Sequence, residues 1–118
     1  MATTRTNGNG GTSRMPALFV GHGTPENAYF DNAFTRSLTA LAAALPRPRA
    51  ILAVSAHWIT HGWFVTGDRR PRTIHDFFGF PPALYKLEYP APGYPELAAR
   101  VQEVAAGLAV GQSTDWGL

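Results

Sequence analysis

Two uninterrupted apolar runs of strand length dominate the hydrophobic pattern, and each ends at a histidine. Ala17, Leu18, Phe19 and Val20 stop at Gly21-His22-Gly23-Thr24-Pro25, and Ile51, Leu52, Ala53, Val54, Ser55 and Ala56 stop at His57-Trp58. Continuous rather than alternating hydrophobicity predicts strands covered on both faces. Between the runs, Phe34, Leu38, Leu41 and Leu45 recur at helical spacing. They form one face of a helix that Asp31 or Asn32 caps and Pro46 ends. Strand, helix, strand in that order is a βαβ unit, whose two parallel strands finish at the same edge of a sheet. Residues 62–67 predict a third strand, Pro81-Pro82 a short helical turn after an aromatic loop, and Pro95 the first turn of a second helix bearing Leu97, Val101, Val104 and Leu108 on one face.

The fold class expected is therefore α/β, a mostly parallel or mixed sheet with flanking helices. So few strands and helices do not cover both faces of such a sheet, and no internal repeat closes it, so either the chain pairs with another chain or it is the N-terminal portion of a larger domain, truncated at its C-terminus. Residues 1–14 are Thr, Gly and Asn with two Arg and no acid, a composition that reads as a disordered tail. Residues 15–118 then form the N-terminal portion of a single α/β domain.

Composition narrows the partners. With a formal charge of +2 and no basic run beyond Arg69-Arg70-Pro71-Arg72, no nucleic-acid partner is expected. No apolar run approaches the ~18 residues that cross a bilayer, and no secretory leader is present, so no membrane partner is expected and the location reads as cytoplasmic. Cysteine is absent, so any metal must rest on His, Asp and Glu. Neither a phosphate-binding glycine loop nor a nucleophile elbow occurs, which leaves nucleotide transfer and serine hydrolysis without support.

His22 and His57 leave the carboxyl ends of the two predicted strands, the edge where open α/β sheets bind ligands. Neighbouring strands lie ~4.8 Å apart, close enough for two imidazoles to share one cation at ~2.0–2.1 Å. Each taken singly also reads as a strand-end histidine with a backbone hydrogen bond. Ser55 and Thr24 stand where they can orient the rings. Two ligands fall short of the three that a catalytic zinc takes, and His61 is expected to be exposed. His75, in Thr73-Ile74-His75-Asp76-Phe77, is the candidate catalytic acid or hydrogen-bond donor; its other reading is a loop histidine paired with Asp76. Phe77, Phe78, Phe80, Tyr85 and Tyr89 either wall a pocket for a planar substrate or form core beneath a loop.

Four segments in one order carry a resemblance: Gly21-His22-Gly23-Thr24-Pro25, Val54-Ser55-Ala56-His57-Trp58, Arg72-Thr73-Ile74-His75-Asp76-Phe77 with Gly79-Phe80-Pro81, and Tyr89-Pro90-Ala91-Pro92-Gly93. From about Met15 onward the sequence resembles class III extradiol ring-cleavage dioxygenases of the DOPA 4,5-dioxygenase type. The resemblance implies a metal enzyme that opens a catechol-type aromatic with O₂. It implies that His22 and His57 bind the metal, Zn²⁺ or Fe²⁺, and that His75 and the aromatic residues lie near the substrate. Electron transfer to O₂ favours iron, because zinc does not change oxidation state. Family members continue past a segment like Thr114-Asp115-Trp116-Gly117-Leu118 into an Asp-His-Gly motif and further histidines, so this chain alone is expected to be metal-poor and inactive. Alternatives are a tetrapyrrole metal chelatase, which also carries a Gly-His-Gly-Thr-like segment, and an inactive interaction module. The oligomeric state is left open.

Overall fold

The computed structural model describes residues 14–118. The expected tail thus lies, apart from Arg14, outside the described residues. Two compact units divide the chain, Met1–Arg49 and Ala50–Leu118.

In the first unit a 3-10 turn, Pro25–Ala28, precedes α1, Ala33–Ala44. Of the two candidate caps, Asn32 does the work. Its side chain accepts the Thr35 amide at 3.0 Å while the Thr35 hydroxyl accepts the Asn32 amide at 3.0 Å, a reciprocal capping box. Asp31 instead receives the Arg36 guanidinium at 2.9 Å on the surface. Phe34, Leu38, Leu41 and Leu45 are the half-buried stripe, as the spacing predicts, although no α1 residue is fully buried. Leu45 ends the helix in an extended conformation because the Pro46 ring disfavours helical geometry in the residue before it.

In the second unit β1, Phe64–Thr66, pairs in parallel with β2, Gly111–Ser113, with Phe64 opposite Gly111 and Thr66 opposite Ser113. The intervening chain carries α2, Pro95–Val104, which packs on β1 and buries Ala98. Pro95 occupies the first turn, where its missing amide is no loss. Gln102 ties α2 to the second strand: its Nε2 donates to the Val110 carbonyl at 2.7 Å and its Oε1 accepts from Gln112 Nε2 at 2.6 Å. Arg69 Nη2 reaches Glu96 at 2.8 Å, and Glu96 is held below its ordinary pKa by a backbone N–H and then by that guanidinium.

The architecture is α/β with a parallel sheet, but the pairing differs from expectation. Among the described residues neither 17–20 nor 51–56 forms a strand, so the predicted βαβ unit around α1 is absent. Phe19 and Val54 stand almost wholly exposed. A strand is a property of a pair of backbones, and each run lacks a laddered neighbour. The β2 segment, Gly-Gln-Ser, has little intrinsic strand preference and is set by its neighbour: Gly111 lies close against the Phe64 ring, which a Cβ would meet at 2.9 Å. α2 also stops earlier than its stripe. Ala109 turns left-handed (φ 50°) after the 3-10 turn Ala106–Leu108, leaving Val104 and Leu108 exposed. No helix among the described residues is long and apolar enough to cross a membrane.

Candidate functional site

His22 belongs to the first unit. Its ring Nδ1 lies 3.0 Å from the Gly23 carbonyl oxygen, and since a carbonyl only accepts, Nδ1 carries the proton. The backbone there is anchored to α1. Asn27 Nδ2 donates to the His22 carbonyl at 3.0 Å, and the Asn27 Oδ1 accepts from Asn32 Nδ2 at 2.9 Å, so the capping residue of the helix also braces the histidine loop. Gly23 adopts φ 66°, and a Cβ there would meet Asn27 Nδ2 at 3.0 Å, so glycine serves both the turn and the close approach. Thr24 caps the 3-10 turn, accepting the Glu26 amide at 3.4 Å.

His57 belongs to the second unit and sits in a turn where Ser55 Oγ accepts the His57 amide at 3.1 Å. Its ring Nδ1 lies 3.0 Å from Asp76 Oδ2. A carboxylate accepts, so Nδ1 again carries the proton and the lone pair of the neutral ring sits on Nε2. The next residue, Trp58, stacks on Trp116 with centroids 6.0 Å apart and planes 5° from parallel. Such a pair contributes about 0.5–1.5 kcal/mol beyond its burial.

The Asp76 contact corrects one expectation. His75 does not pair with its neighbour's carboxylate. Asp76 reaches His57 instead, and His75 finds its partner in a backbone carbonyl twelve residues on. His75 Nε2 donates to the Leu87 carbonyl at 2.8 Å, which leaves its lone pair on Nδ1. The half-buried His75 ring meets Phe77 edge-on at 5.8 Å and Tyr85 at 6.2 Å, and Phe77 touches Phe80 at 5.5 Å and Tyr85 at 5.1 Å. Leu84, 2% exposed, lies in the turn that carries Tyr85. The aromatic group is thus Phe77, Phe80 and Tyr85; Phe78 is 91% exposed and Tyr89 62% exposed, and both stand apart from it. His61 is exposed, as expected.

The last residues brace this loop. Leu118 donates its amide to the Arg72 carbonyl at 2.9 Å, the Ile74 amide donates to the Leu118 carbonyl, and Arg72 Nη2 donates to the Asp115 carbonyl at 2.9 Å. Tyr89 N–H donates to Thr73 Oγ1 at 2.7 Å.

Among the described residues no three His, Asp or Glu side chains are grouped to hold a metal ion. In donor type the two imidazoles suit a borderline divalent cation, each with its proton on Nδ1. Sequence spacing does not point to Asp76 as the partner of His57 or to Asn27 as the partner of the His22 carbonyl. Nineteen residues separate Asp76 from His57, and no spacing rule joins a turn histidine to a distant loop carboxylate.

No family model matches the sequence. Over 107 residues, 90% of the chain, it is 54% identical to the 4,5-DOPA dioxygenase extradiol of Escherichia coli K12, of which it spans 40%. The chain is homologous to the 4,5-DOPA extradiol dioxygenases. The Beta vulgaris 4,5-DOPA dioxygenase extradiol is 42% identical over 76% of the chain and 35% of its own length, and the Portulaca grandiflora protein of the same name is 47% identical over 49% of the chain. The chain thus spans well under half of the curated extradiol dioxygenases that it matches.

Proposed function

We propose that this chain contributes to a metal-dependent extradiol dioxygenase that opens a catechol-type aromatic ring with O₂, with His22 and His57 as metal ligands through Nε2. The observation that supports this reading is shared by both imidazoles: each has Nδ1 directed at an oxygen, which puts the lone pair of the neutral ring on Nε2, the nitrogen a metal would take. A ferrous ion bound there would supply the redox chemistry between catecholate and O₂ that zinc does not provide. Further ligands would come from sequence beyond this pair. His75 is expected from the sequence as an acid or hydrogen-bond donor, but its Nε2–H is committed to the Leu87 carbonyl, so in the neutral ring it would meet a substrate through Nδ1 as an acceptor, and Phe77, Phe80 and Tyr85 give an apolar flank for a planar ring.

The test is a chimera in which this chain replaces the matching stretch of the Escherichia coli relative, supplied with Fe(II), L-DOPA and air. Ring-opened yellow product and O₂ uptake are expected, with His22→Gln and His57→Gln each lowering turnover at least ~100-fold. A folded chimera that leaves catechols intact overturns the reading, and tetrapyrrole binding by that chimera favours the chelatase instead.

A further inference from the structure

We infer that Asp76 is a positioning residue for His57. Resting on the metal-ligand reading above, it acts by holding the imidazole in the Nδ1–H tautomer and so presenting Nε2 to a cation. The contact is Nδ1 to Asp76 Oδ2 at 3.0 Å, bridging two loops nineteen residues apart. Both side chains are about half exposed (47% and 54%), so the pair adds little to stability as an ion pair. Its consequence is directional. An acceptor-only group at Nδ1 forces the proton onto that nitrogen and fixes the ring plane, whereas an imidazole in water samples both tautomers.

The surroundings hold Asp76 in place independently of any ion. Residues 72–74, just before it, are tied to Leu118 by two backbone hydrogen bonds, and His75 is anchored on the Leu87 carbonyl. On the other side, Ser55 holds the His57 amide and Trp116 stacks on Trp58. The carboxylate is therefore brought to the imidazole by two braced segments. Carboxylate–histidine pairs of this form orient metal ligands, and removing the carboxylate typically weakens metal binding by about 10–100-fold.

The experiment follows the ring nitrogens of the ¹⁵N-histidine-labelled chain by long-range ¹H–¹⁵N correlation, well above the ordinary histidine pKa of ~6.5, with His57→Gln assigning the signals. In the wild type His57 should show a protonated, pyrrole-type Nδ1 and a pyridine-type Nε2. Asp76→Asn, whose carbonyl still accepts, should keep that pattern; Asp76→Ala should convert His57 to a tautomer mixture and leave His22 unchanged. A pyridine-type Nδ1 in the wild type, or an unaltered His57 in Asp76→Ala, overturns the inference. Titration with Zn²⁺ of the chimera described above, with and without Asp76→Ala, separates it from the metal reading. Binding through His57 should weaken about 10-fold in Asp76→Ala, the lower end expected for an exposed pair. Tautomers that shift as expected while Zn²⁺ binding is unchanged sustain the orienting role and overturn the metal reading alone.

Discussion

Gly117→Ala probes the brace beneath the candidate site. Gly117 is buried, and a Cβ built on it would lie 1.8 Å from the Arg72 carbonyl oxygen and 2.8 Å from its carbon, with Arg72 Cγ at 3.1 Å. The obstacle is chiefly backbone, so it does not swing aside. The chain has two ways to respond. It can absorb the methyl by shifting both segments, at the roughly 1–3 kcal/mol typical of overpacking. Alternatively it can release the flanking hydrogen bonds, Leu118 to Arg72 and Ile74 to Leu118, at about 0.5–1.5 kcal/mol each. Both routes cost about 1–3 kcal/mol, and with tenfold per 1.4 kcal/mol that is about 5- to 150-fold faster exchange of the Ile74 and Leu118 amides. Hydrogen exchange read by NMR measures it. Gly107→Ala is the control, because nothing lies within 4 Å of its Cβ and φ is not positive there. It should leave stability unchanged or raise it by a few tenths of a kcal/mol. If Ile74 and Leu118 exchange at the wild-type rate in Gly117→Ala, or if Gly107→Ala is equally damaging, residues 117–118 do not brace the loop.

Three further outcomes follow from the same geometry. Asn32→Ala removes the capping box and the Asn27 contact together and should destabilise the start of α1 by about 1 kcal/mol, seen as faster exchange at Thr35 and Arg36; unchanged rates would refute the cap. Gly23→Ala places a Cβ in left-handed backbone at about 1–2 kcal/mol and pushes the Asn27 amide off the His22 carbonyl; an Asn27 side-chain resonance that does not move would contradict this. Glu96 has a folded-state pKa below its unfolded value, so its contribution is present above the ordinary carboxylate value of ~4.3 and is lost as pH falls through the lower folded one. The urea midpoint of the wild type should therefore fall more steeply below about pH 4.3 than that of Glu96→Gln, and parallel curves would count against the Arg69 and backbone contacts as the cause.

What was legible in the sequence is what depends on near neighbours. The α1 stripe, its stop before Pro46 and Pro95 at the start of α2 are all set by residues within a few positions, and periodicity or proline geometry reports them directly. Strand pairing is not local. The apolar runs at 17–20 and 51–56 carry the stronger strand pattern, yet the ladder forms between Phe64–Thr66 and Gly111–Ser113, where a glycine lets one backbone settle against an aromatic ring. Apolar character states what a segment has to bury, not which backbone it will find.

The candidate site divides along the same line. Histidines are rare enough in this chain, and the segments around His22 and His57 specific enough, for residue type and motif to single them out. What orients them is invisible without coordinates, because the partners are a carbonyl one residue away for His22 and a carboxylate nineteen residues away for His57. Both contacts nevertheless give the same result, a proton on Nδ1. The two acceptors differ in kind, a backbone carbonyl and a carboxylate, yet each accepts only and so fixes the same nitrogen as the donor. His75 makes the contrast: its proton sits on Nε2 against the Leu87 carbonyl, the opposite tautomer.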